Sequence, residues 1–294
     1  MSAIKAAQAG RATLHDGATE RFMTYRDILV SLDGSPAQHA VAHYAANLAS
    51  TFDAVLLGAF ARSRIPPPFV PADGAAFLSA SEIQRIFDAH EDDVRKTLET
   101  AQSALEGAAQ AQGVASEWTD VVDAAALAAC ARRADLLILP AGDARTADAL
   151  TPAALAMASG VPTLVVPRTA APGVFARVLV AWSGSRESAR ALHAAWPMLR
   201  RADAVDVVIV GRGRIGPDHL LQRHLERHGV EPNLVEHDAD DALAGDILRR
   251  EALERGADLV VMGLYGHTRL RELILGGVSR ELLAGPPTPL FVIH

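Results

Sequence analysis

Cysteine, aromatic residues and long apolar runs are all scarce in this chain. Its one cysteine, Cys130, cannot form an internal disulfide. Aromatic residues make up 5% of the sequence, which leaves little stacking surface for a single-strand nucleic-acid binder. No apolar stretch approaches the roughly 18 to 20 residues that span a bilayer, and the amino terminus has no apolar signal-peptide core. We therefore expect a cytoplasmic protein with no membrane partner.

Positive charge is also in short supply. Lys and Arg number 28 against 35 Asp and Glu, so the formal net charge is -7. Nucleic-acid binding relies on clustered Lys and Arg that neutralise phosphates. We therefore expect no nucleic-acid partner. The 294 residues are 50% hydrophobic, which is enough for the cores of two packed domains.

Two segments of the chain repeat each other. Arg26–Ser50 and Arg177–Arg201 align so that Ser35 falls on Ser185. Each has a run of β-branched residues and leucine, a Gly-Ser turn and a helical pattern, and we expect both helices to begin with the serine at the N-cap. The halves also end alike, with "ADLLILPAG" matching "ADLVVMGLYG" and "VPTLVVP" matching "TPLFVIH". The distance from Ser35 to Ser185 gives a period of 150 residues, which indicates a tandem duplication rather than a solenoid.

The hydrophobic pattern within each half predicts the fold class. Apolar runs without alternation separate helical segments, and this is typical of parallel strands that helices bury on both faces. The sequence therefore predicts an α/β protein made of two tandem doubly wound parallel-sheet domains, Rossmann-like in type. The predicted organisation is a flexible N-terminal tail at 1–24, a first domain at 25–168, a linker at 169–175 and a second domain at 176–294.

Four glycines frame one loop near the end of the second half. Gly263, Gly266, Gly276 and Gly277 follow the spacing G-x2-G-x9-G-G directly after a buried strand. In a doubly wound sheet, ligands bind outside the carboxyl ends of the strands, where the strand order reverses. Glycine lets the backbone pass close to a ligand, and a helix that starts at the second pair presents free N–H groups to an anion. Ser279 adds a hydroxyl, and positive charge is available from His267, Arg269, Arg271 and Arg280.

The spacing of these glycines resembles the nucleotide-binding motif of the universal stress protein family, and "VSLDGS" resembles that family's first strand. The resemblance covers nearly all of Tyr25–His294, as two family domains in tandem. It implies a site for ATP or AMP, with Mg²⁺ as an optional companion ion. It also implies an intramolecular pseudo-dimer through the last strands, and leaves a homodimer of whole chains open. The residues it implies in nucleotide binding are Gly263, Gly266, His267, Gly276, Gly277, Val278 and Ser279 from the loop, with Ala181, Ser183 and Gly211 from the ends of the first two strands of the second half.

The second half departs from the family pattern at two positions. Gly277 stands where the family has Ser or Thr, which removes a phosphate hydrogen bond worth about 1.5–3 kcal/mol to a charged acceptor. Ser183 stands where the first half keeps an acid, Asp33. We expect both departures to weaken nucleotide binding rather than to abolish it.

The first half departs more strongly. It offers Pro140 and Asp143 where the second half has Gly263 and Gly266. Proline lacks an N–H group and an aspartate repels phosphate. We therefore expect the first half to be an emptied nucleotide site, with a structural role or a ligand other than a nucleotide, even though it keeps Asp33.

Two other motifs imitate known sites. Gly211 to Gly216 spell G-x-G-x-x-G, but they follow the second strand of their half rather than the first, so we do not expect NAD or FAD binding. His224 and His228 lie four apart on one helical face, and two such residues do not make a zinc site. We interpret them as part of a solvated helix face and expect no metal site.

These patterns support three hypotheses for function. The first is a stress-response protein in which adenine nucleotide in the second domain biases protein interactions. The alternative is an interaction or dimerisation module with both sites vacant, which Gly277 and Ser183 favour. We see no catalytic constellation and therefore expect no enzyme, with a slow ATPase as the open third hypothesis.

Overall fold

A computed structural model of the chain describes residues 24–62, 79–142, 150–169, 175–212, 218–264, 282–283 and 285–294. Most of the predicted tail and linker lies outside these ranges, so the domain boundaries stay predictions. The first half consists of β1 (Asp27–Leu32), α1 (Gln38–Phe52), β2 (Val55–Ala61), α2 (Ala80–Gln112), β3 (Ser116–Val121), α3 (Ala124–Ala131), β4 (Leu136–Pro140), α4 (Pro152–Ser159) and β5 (Thr163–Val166).

The second half repeats this order as far as its fourth strand. Its elements are β6 (Arg177–Ala181), α5 (Arg186–Ala194), α6 (Trp196–Leu199), β7 (Ala204–Val210), α7 (His219–Arg227), β8 (Pro232–His237), a 3-10 turn (Asp241–Leu243), α8 (Ala244–Glu254), β9 (Leu259–Gly263) and β10 (Leu290–Ile293). The break between α5 and α6 lies at Ala195, just before Pro197, which has no N–H group with which to continue the helix.

All ten strands form one sheet, in the order β3-β2-β1-β4-β5-β10-β9-β6-β7-β8. Each half is parallel and has the same internal order, which confirms the predicted α/β fold of two doubly wound halves. The halves join where β10 pairs antiparallel with β5, with Phe291 opposite Leu164. Because of this antiparallel join, the carboxyl ends of the two sets of parallel strands lie at opposite edges of the sheet.

The two halves share a core as well as a sheet. One buried apolar cluster contains residues from both, among them Phe52 and Trp196. The Tyr25 hydroxyl donates to the Ala194 carbonyl over 2.8 Å, and the Arg201 guanidinium lies 5.2 Å from the centroid of the Phe52 ring. Burial of so much apolar surface between the halves favours their staying together.

An aspartate at the start of the fourth strand ties each half together in the same way. Asp135 accepts the N–H groups of residues 26–27 at 2.7 and 3.0 Å. Asp258 accepts those of residues 176–177, with shortest distances of 2.8 and 3.1 Å. Burial raises the pKa of the Asp258 carboxyl above its usual value, although these N–H donors oppose the shift. The duplication is therefore visible in hydrogen bonds as well as in strand order.

The two predicted N-caps behave differently. Ser185 does cap α5, since its hydroxyl oxygen accepts the N–H of Ser188 at 3.1 Å. The prediction is wrong for Ser35, because α1 begins only at Gln38, and its N-cap Ala37 has no capping side chain. The Ser35 carbonyl accepts the Gln38 N–H instead, and its hydroxyl is engaged elsewhere.

Helix α2 is the longest helix among the described residues. Its 33 residues correspond to about 50 Å at 1.5 Å per residue, longer than the strands beside it. Ser79 and Glu82 begin it with a reciprocal capping box. Across the described residues, none of the helices combines the length and apolarity that a membrane crossing requires.

Candidate functional site

The predicted nucleotide loop lies largely outside the described residues. Outside them are Gly266, His267, Gly276, Gly277, Val278 and Ser279, and also Arg269, Arg271, Arg280, Asp143, Gly213 and Gly216. The four remaining predicted residues lie at or just after the ends of three neighbouring strands. Ala181 and Gly263 end β6 and β9, Ser183 closely follows β6, and Gly211 directly follows β7. Because the order is β9-β6-β7 and all three strands are parallel, the structure brings these residues to one carboxyl edge.

Gly263 packs against the first turn of α5. A Cβ atom at Gly263 would lie 2.4 Å from the carbonyl carbon of Glu187 and 2.5 Å from the amide nitrogen of Ser188. Both atoms belong to backbone, so no side-chain rotation can relieve the overlap. The sequence interpretation expected this glycine to approach a ligand, and the structure shows that it approaches a helix.

Three serines order the turn between β6 and α5. The Ser183 hydroxyl donates to the Ser185 hydroxyl at 2.9 Å, and the Ser188 hydroxyl donates to the Ser185 carbonyl at 2.9 Å. The carboxylate of Glu187, whose residue is 6% exposed, lies in the same first turn. A negative charge is favourable at a helix N-terminus, so α5 already holds an anion of its own. We infer that a bound phosphate would depend on the loop after β9 rather than on α5.

Gly211 is tied to a buried ionic network. Its N–H donates to the His237 carbonyl at 3.1 Å, and the His237 Nε2 lies 3.0 Å from the Glu251 Oε1. Arg255 donates through Nε to Glu251 at 2.6 Å and through Nη1 to Asp206 at 2.9 Å. Burial alone would raise the pKa of Glu251, but the hydrogen bond and charge of Arg255 outweigh it and hold the pKa below its usual value.

Sequence reasoning missed this network altogether. Its members come from β7, β8 and the carboxyl end of α8, and only Glu251 and Arg255, four residues apart, are connected by a local spacing. A signal was nevertheless present, because Asp206 stands inside the apolar run "AVDVVIV", where a charge needs a partner.

An arginine lies at the carboxyl edge of the first half. Arg168 donates through Nη2 to Asp33 at 2.6 Å, through Nη1 to the Ser35 hydroxyl at 2.5 Å and through Nε to the Ala141 carbonyl at 3.0 Å. Burial would raise the pKa of Asp33, but hydrogen bonds from Ser35 and Arg168 outweigh it and lower the pKa. The Ser35 hydroxyl is thus engaged by Arg168, while α1 begins three residues farther on, at Gln38.

The histidine pair on α7 belongs to an aromatic cluster. The His228 ring stacks on Trp196 with centroids 4.4 Å apart, and His224 lies 5.5 Å from His193. The His224 Nε2 is buried, so the interpretation as a solvated face is wrong for His224, although His228 is exposed. Partial desolvation of the ring, followed by the nearby His224 and His193, lowers the pKa of His228. In the part of the chain that the structure describes, no group of His, Cys, Asp and Glu is arranged to hold a metal ion.

Comparison of the sequence with protein-family profiles identifies one family. The sequence profile of the universal stress protein family matches residues 24–167 and 217–294, which is more than half of the chain. No curated protein is significantly similar in sequence.

Solved structures extend the similarity to about nine-tenths of the chain. A universal stress protein from Archaeoglobus fulgidus DSM 4304 is 17% identical, with a TM-score of 0.63 over 91% of this chain and 97% of that one. A putative universal stress protein from Pseudomonas aeruginosa UCBPP-PA14 is 15% identical, with a TM-score of 0.55 over 92% and 94%. A functionally unknown protein from Pseudomonas aeruginosa PAO1 is 15% identical, with a TM-score of 0.53 over 92% and 93%. At these identities the similarity shows the fold alone.

Proposed function

Since this chain belongs to the universal stress protein family, we propose that it is a cytoplasmic stress-response protein that binds an adenine nucleotide in its second half. The ligand is ATP, with Mg²⁺ as its companion ion, or AMP. One observation carries the proposal. Ala181, Ser183, Gly211 and Gly263 meet at one carboxyl edge, at the end of the strand that leads into the glycine loop.

The position of this edge in the sheet supports the proposal. β6 lies between β7 and β9, so the chain leaves β6 toward one side of the sheet and returns to the other. This is the point at which strand order reverses, and doubly wound sheets bind ligands there. The sequence after β9 adds the spacing G-x2-G-x9-G, which suits backbone contact with phosphates.

We propose a single nucleotide site in each chain. In the first half, the equivalent edge carries Asp33 paired with Arg168, and β4 ends in Pro140 where β9 ends in Gly263. The two halves would act as an intramolecular pseudo-dimer, which the pairing of β5 with β10 and the shared core support. Occupancy of the second half would then bias the interactions of the whole chain.

Hydrolysis is the second candidate, and one observation favours it. The His237 imidazole and the Glu251 carboxylate form a base–carboxylate pair at the carboxyl end of β8. However, β8 lies two strands from β6, which is roughly 10 Å at about 4.8 Å per strand. At that distance, the His237–Glu251 pair is better placed to contact the part of a nucleotide remote from its phosphates than to activate a water molecule for attack on them. We therefore propose that the nucleotide is a ligand rather than a substrate.

A thermal melt with and without nucleotide tests the proposal. At 100 times its dissociation constant, a ligand stabilises the folded chain by about 2.7 kcal/mol. For a chain of this size we expect the melting temperature to rise by roughly 5 °C or more with ATP–Mg²⁺ or AMP. GTP and CTP serve as controls and should give smaller shifts.

Variants connect the shift to the loop. Gly266→Val and Gly276→Val should remove the shift, whereas Gly285→Ala should keep it, because a Cβ atom at Gly285 has no heavy atom within 4 Å. No shift with either adenine nucleotide at millimolar concentration would contradict the proposal and favour the interaction module with both sites vacant.

A further inference from the structure

We propose that the carboxyl edge of the first half is a guanidinium-binding site, and that the chain's own Arg168 fills it. This inference is independent of nucleotide binding in the second half. It assigns a ligand chemistry to an edge that the sequence describes only as emptied of nucleotide-binding features.

The contacts of Arg168 are those of a recognised guanidinium rather than of a single ion pair. Its Nη2, Nη1 and Nε each donate to a different acceptor: the carboxylate of Asp33, the hydroxyl of Ser35 and the carbonyl of Ala141. A guanidinium presents five N–H donors in a fixed plane, so three acceptors in these directions select for its shape. An ammonium group is a point charge and cannot span them.

The acceptors come from different parts of the fold. Asp33 and Ser35 follow β1, and Ala141 follows β4, the neighbour of β1 in the sheet. β1 lies between β2 and β4, so this is the point of reversed strand order in the first half. Arg168 itself follows β5 and precedes the predicted linker. Its side chain therefore occupies, from within the chain, the position at which such a sheet binds a ligand.

Burial and charge explain why the edge needs an occupant. The Asp33 side chain is 7% exposed and the Arg168 side chain 39% exposed. A carboxylate as buried as this one costs free energy unless a cation and hydrogen bonds compensate it. The second half has Ser183 at the equivalent position and so lacks the carboxylate. The guanidinium chemistry is therefore specific to the first half.

Helix α2 closes one side of the same edge. Gly34, between the two acceptors of the first loop, has a φ of +75°, and a Cβ atom there would lie 2.5 Å from the Thr97 Cγ2. The Gly34 N–H donates to the Gln38 side-chain oxygen at 3.2 Å. These contacts hold the loop without involving Arg168, which reduces the ordering cost of binding a cation.

Chemical rescue tests the proposal. Arg168→Ala should lower the melting temperature of the full chain by roughly 5–10 °C, because it leaves Asp33 buried without its cation. Guanidinium or methylguanidinium at millimolar concentration, far below denaturing levels, should restore most of that loss along a saturable curve. Methylammonium at the same concentration should not. Wild-type protein gives the baseline in every titration.

Two further variants make the result specific. Arg62→Ala is the matched control, because Arg62 also pairs with an aspartate, Asp120, but both side chains are exposed at 51% and 40%. It should lose little stability and show no rescue. Arg168→Lys keeps the charge without the planar group, so guanidinium should restore only part of its lost melting temperature.

Several outcomes would overturn the proposal. They are an unchanged melting temperature for Arg168→Ala, equal rescue by methylammonium, and equal rescue of Arg62→Ala. If Arg168→Ala is unfolded without additive, guanidinium should restore folding, and failure to do so would also contradict the assignment.

Discussion

Replacing Gly263 with alanine is expected to lower the free energy of unfolding by roughly 3 kcal/mol or more, and replacement with valine by still more. The added Cβ atom would lie 2.4 Å from the Glu187 carbonyl carbon and 2.5 Å from the Ser188 nitrogen. To make room, β9 and α5 must separate, and both contribute to the buried interior of the second half. Urea denaturation followed by circular dichroism measures the loss.

Gly285→Ala is the matched control in the same half. No heavy atom lies within 4 Å of a Cβ atom built at Gly285, so its effect should stay within about 0.5 kcal/mol. A Gly263→Ala protein of wild-type stability that has lost nucleotide binding would contradict this account. It would show that Gly263 is required by a ligand and not by packing against α5.

Removing Arg255 should have the second large effect. Arg255→Ala leaves the carboxylates of Asp206 and Glu251, whose residues are 8% and 6% exposed, without their shared cation. Breaking a buried ion pair by removing one partner costs about 3–5 kcal/mol at neutral pH. The matched control is Arg250→Ala in α8, the helix that Arg255 caps, since Arg250 and Glu254 are both exposed and 4.0 Å apart. The control should lose less than about 1 kcal/mol.

The stability lost in Arg255→Ala should be smaller at acidic pH than at neutral pH. In the wild type, the pKa of Glu251 is lowered, so its contribution to stability is present above the pKa of the unfolded chain and is lost as the pH falls through the folded pKa. Without Arg255, burial raises the pKa of this carboxyl instead, and protonation then stabilises the folded variant.

The difference in stability between wild type and Arg255→Ala should therefore shrink as the pH falls from 7 to about 5. Urea denaturation at both pH values measures it. A difference that stays constant, or that grows on acidification, would show that Arg255 acts through packing and not through charge.

The sequence predicts much of the fold because the same hydrophobic pattern occurs in both halves of the chain. The apolar runs at β1, β4, β6 and β9 lack alternation, and the central residues of all four strands are buried. The repeated "AD" before the fourth strand marks Asp135 and Asp258, although the sequence does not predict their hydrogen bonds to the backbone at the starts of β1 and β6. Local chemistry also predicted the cap at Ser185, because a cap depends on residues close in sequence.

The errors share one physical cause, which is contact between residues far apart in sequence. Ser35, like Ser185, follows a glycine and precedes a helical pattern. Its hydroxyl nevertheless accepts a hydrogen bond from Arg168, 133 residues away. His224 has the spacing of a surface residue, yet Trp196 and His193 from the preceding helices cover it. No periodicity carries such information, because the partner is fixed by the packed fold and not by the neighbouring residues.

The candidate site is predictable only in part, because some of its features depend on local sequence and others on contacts between distant residues. The order of strands and the glycine spacing place Gly263 at a carboxyl edge, and the structure puts it there. The reason for the glycine could not be predicted, since it depends on how closely α5 approaches β9. Neither could the network behind Gly211, whose members come from three elements.

Calorimetric titration of the full chain with ATP–Mg²⁺ tests the central claim most directly. The account predicts saturable binding at one site in each chain, which Gly276→Val abolishes and Arg168→Ala leaves intact. Binding that is absent at millimolar ATP, or that saturates at two equivalent sites in each chain, would contradict it.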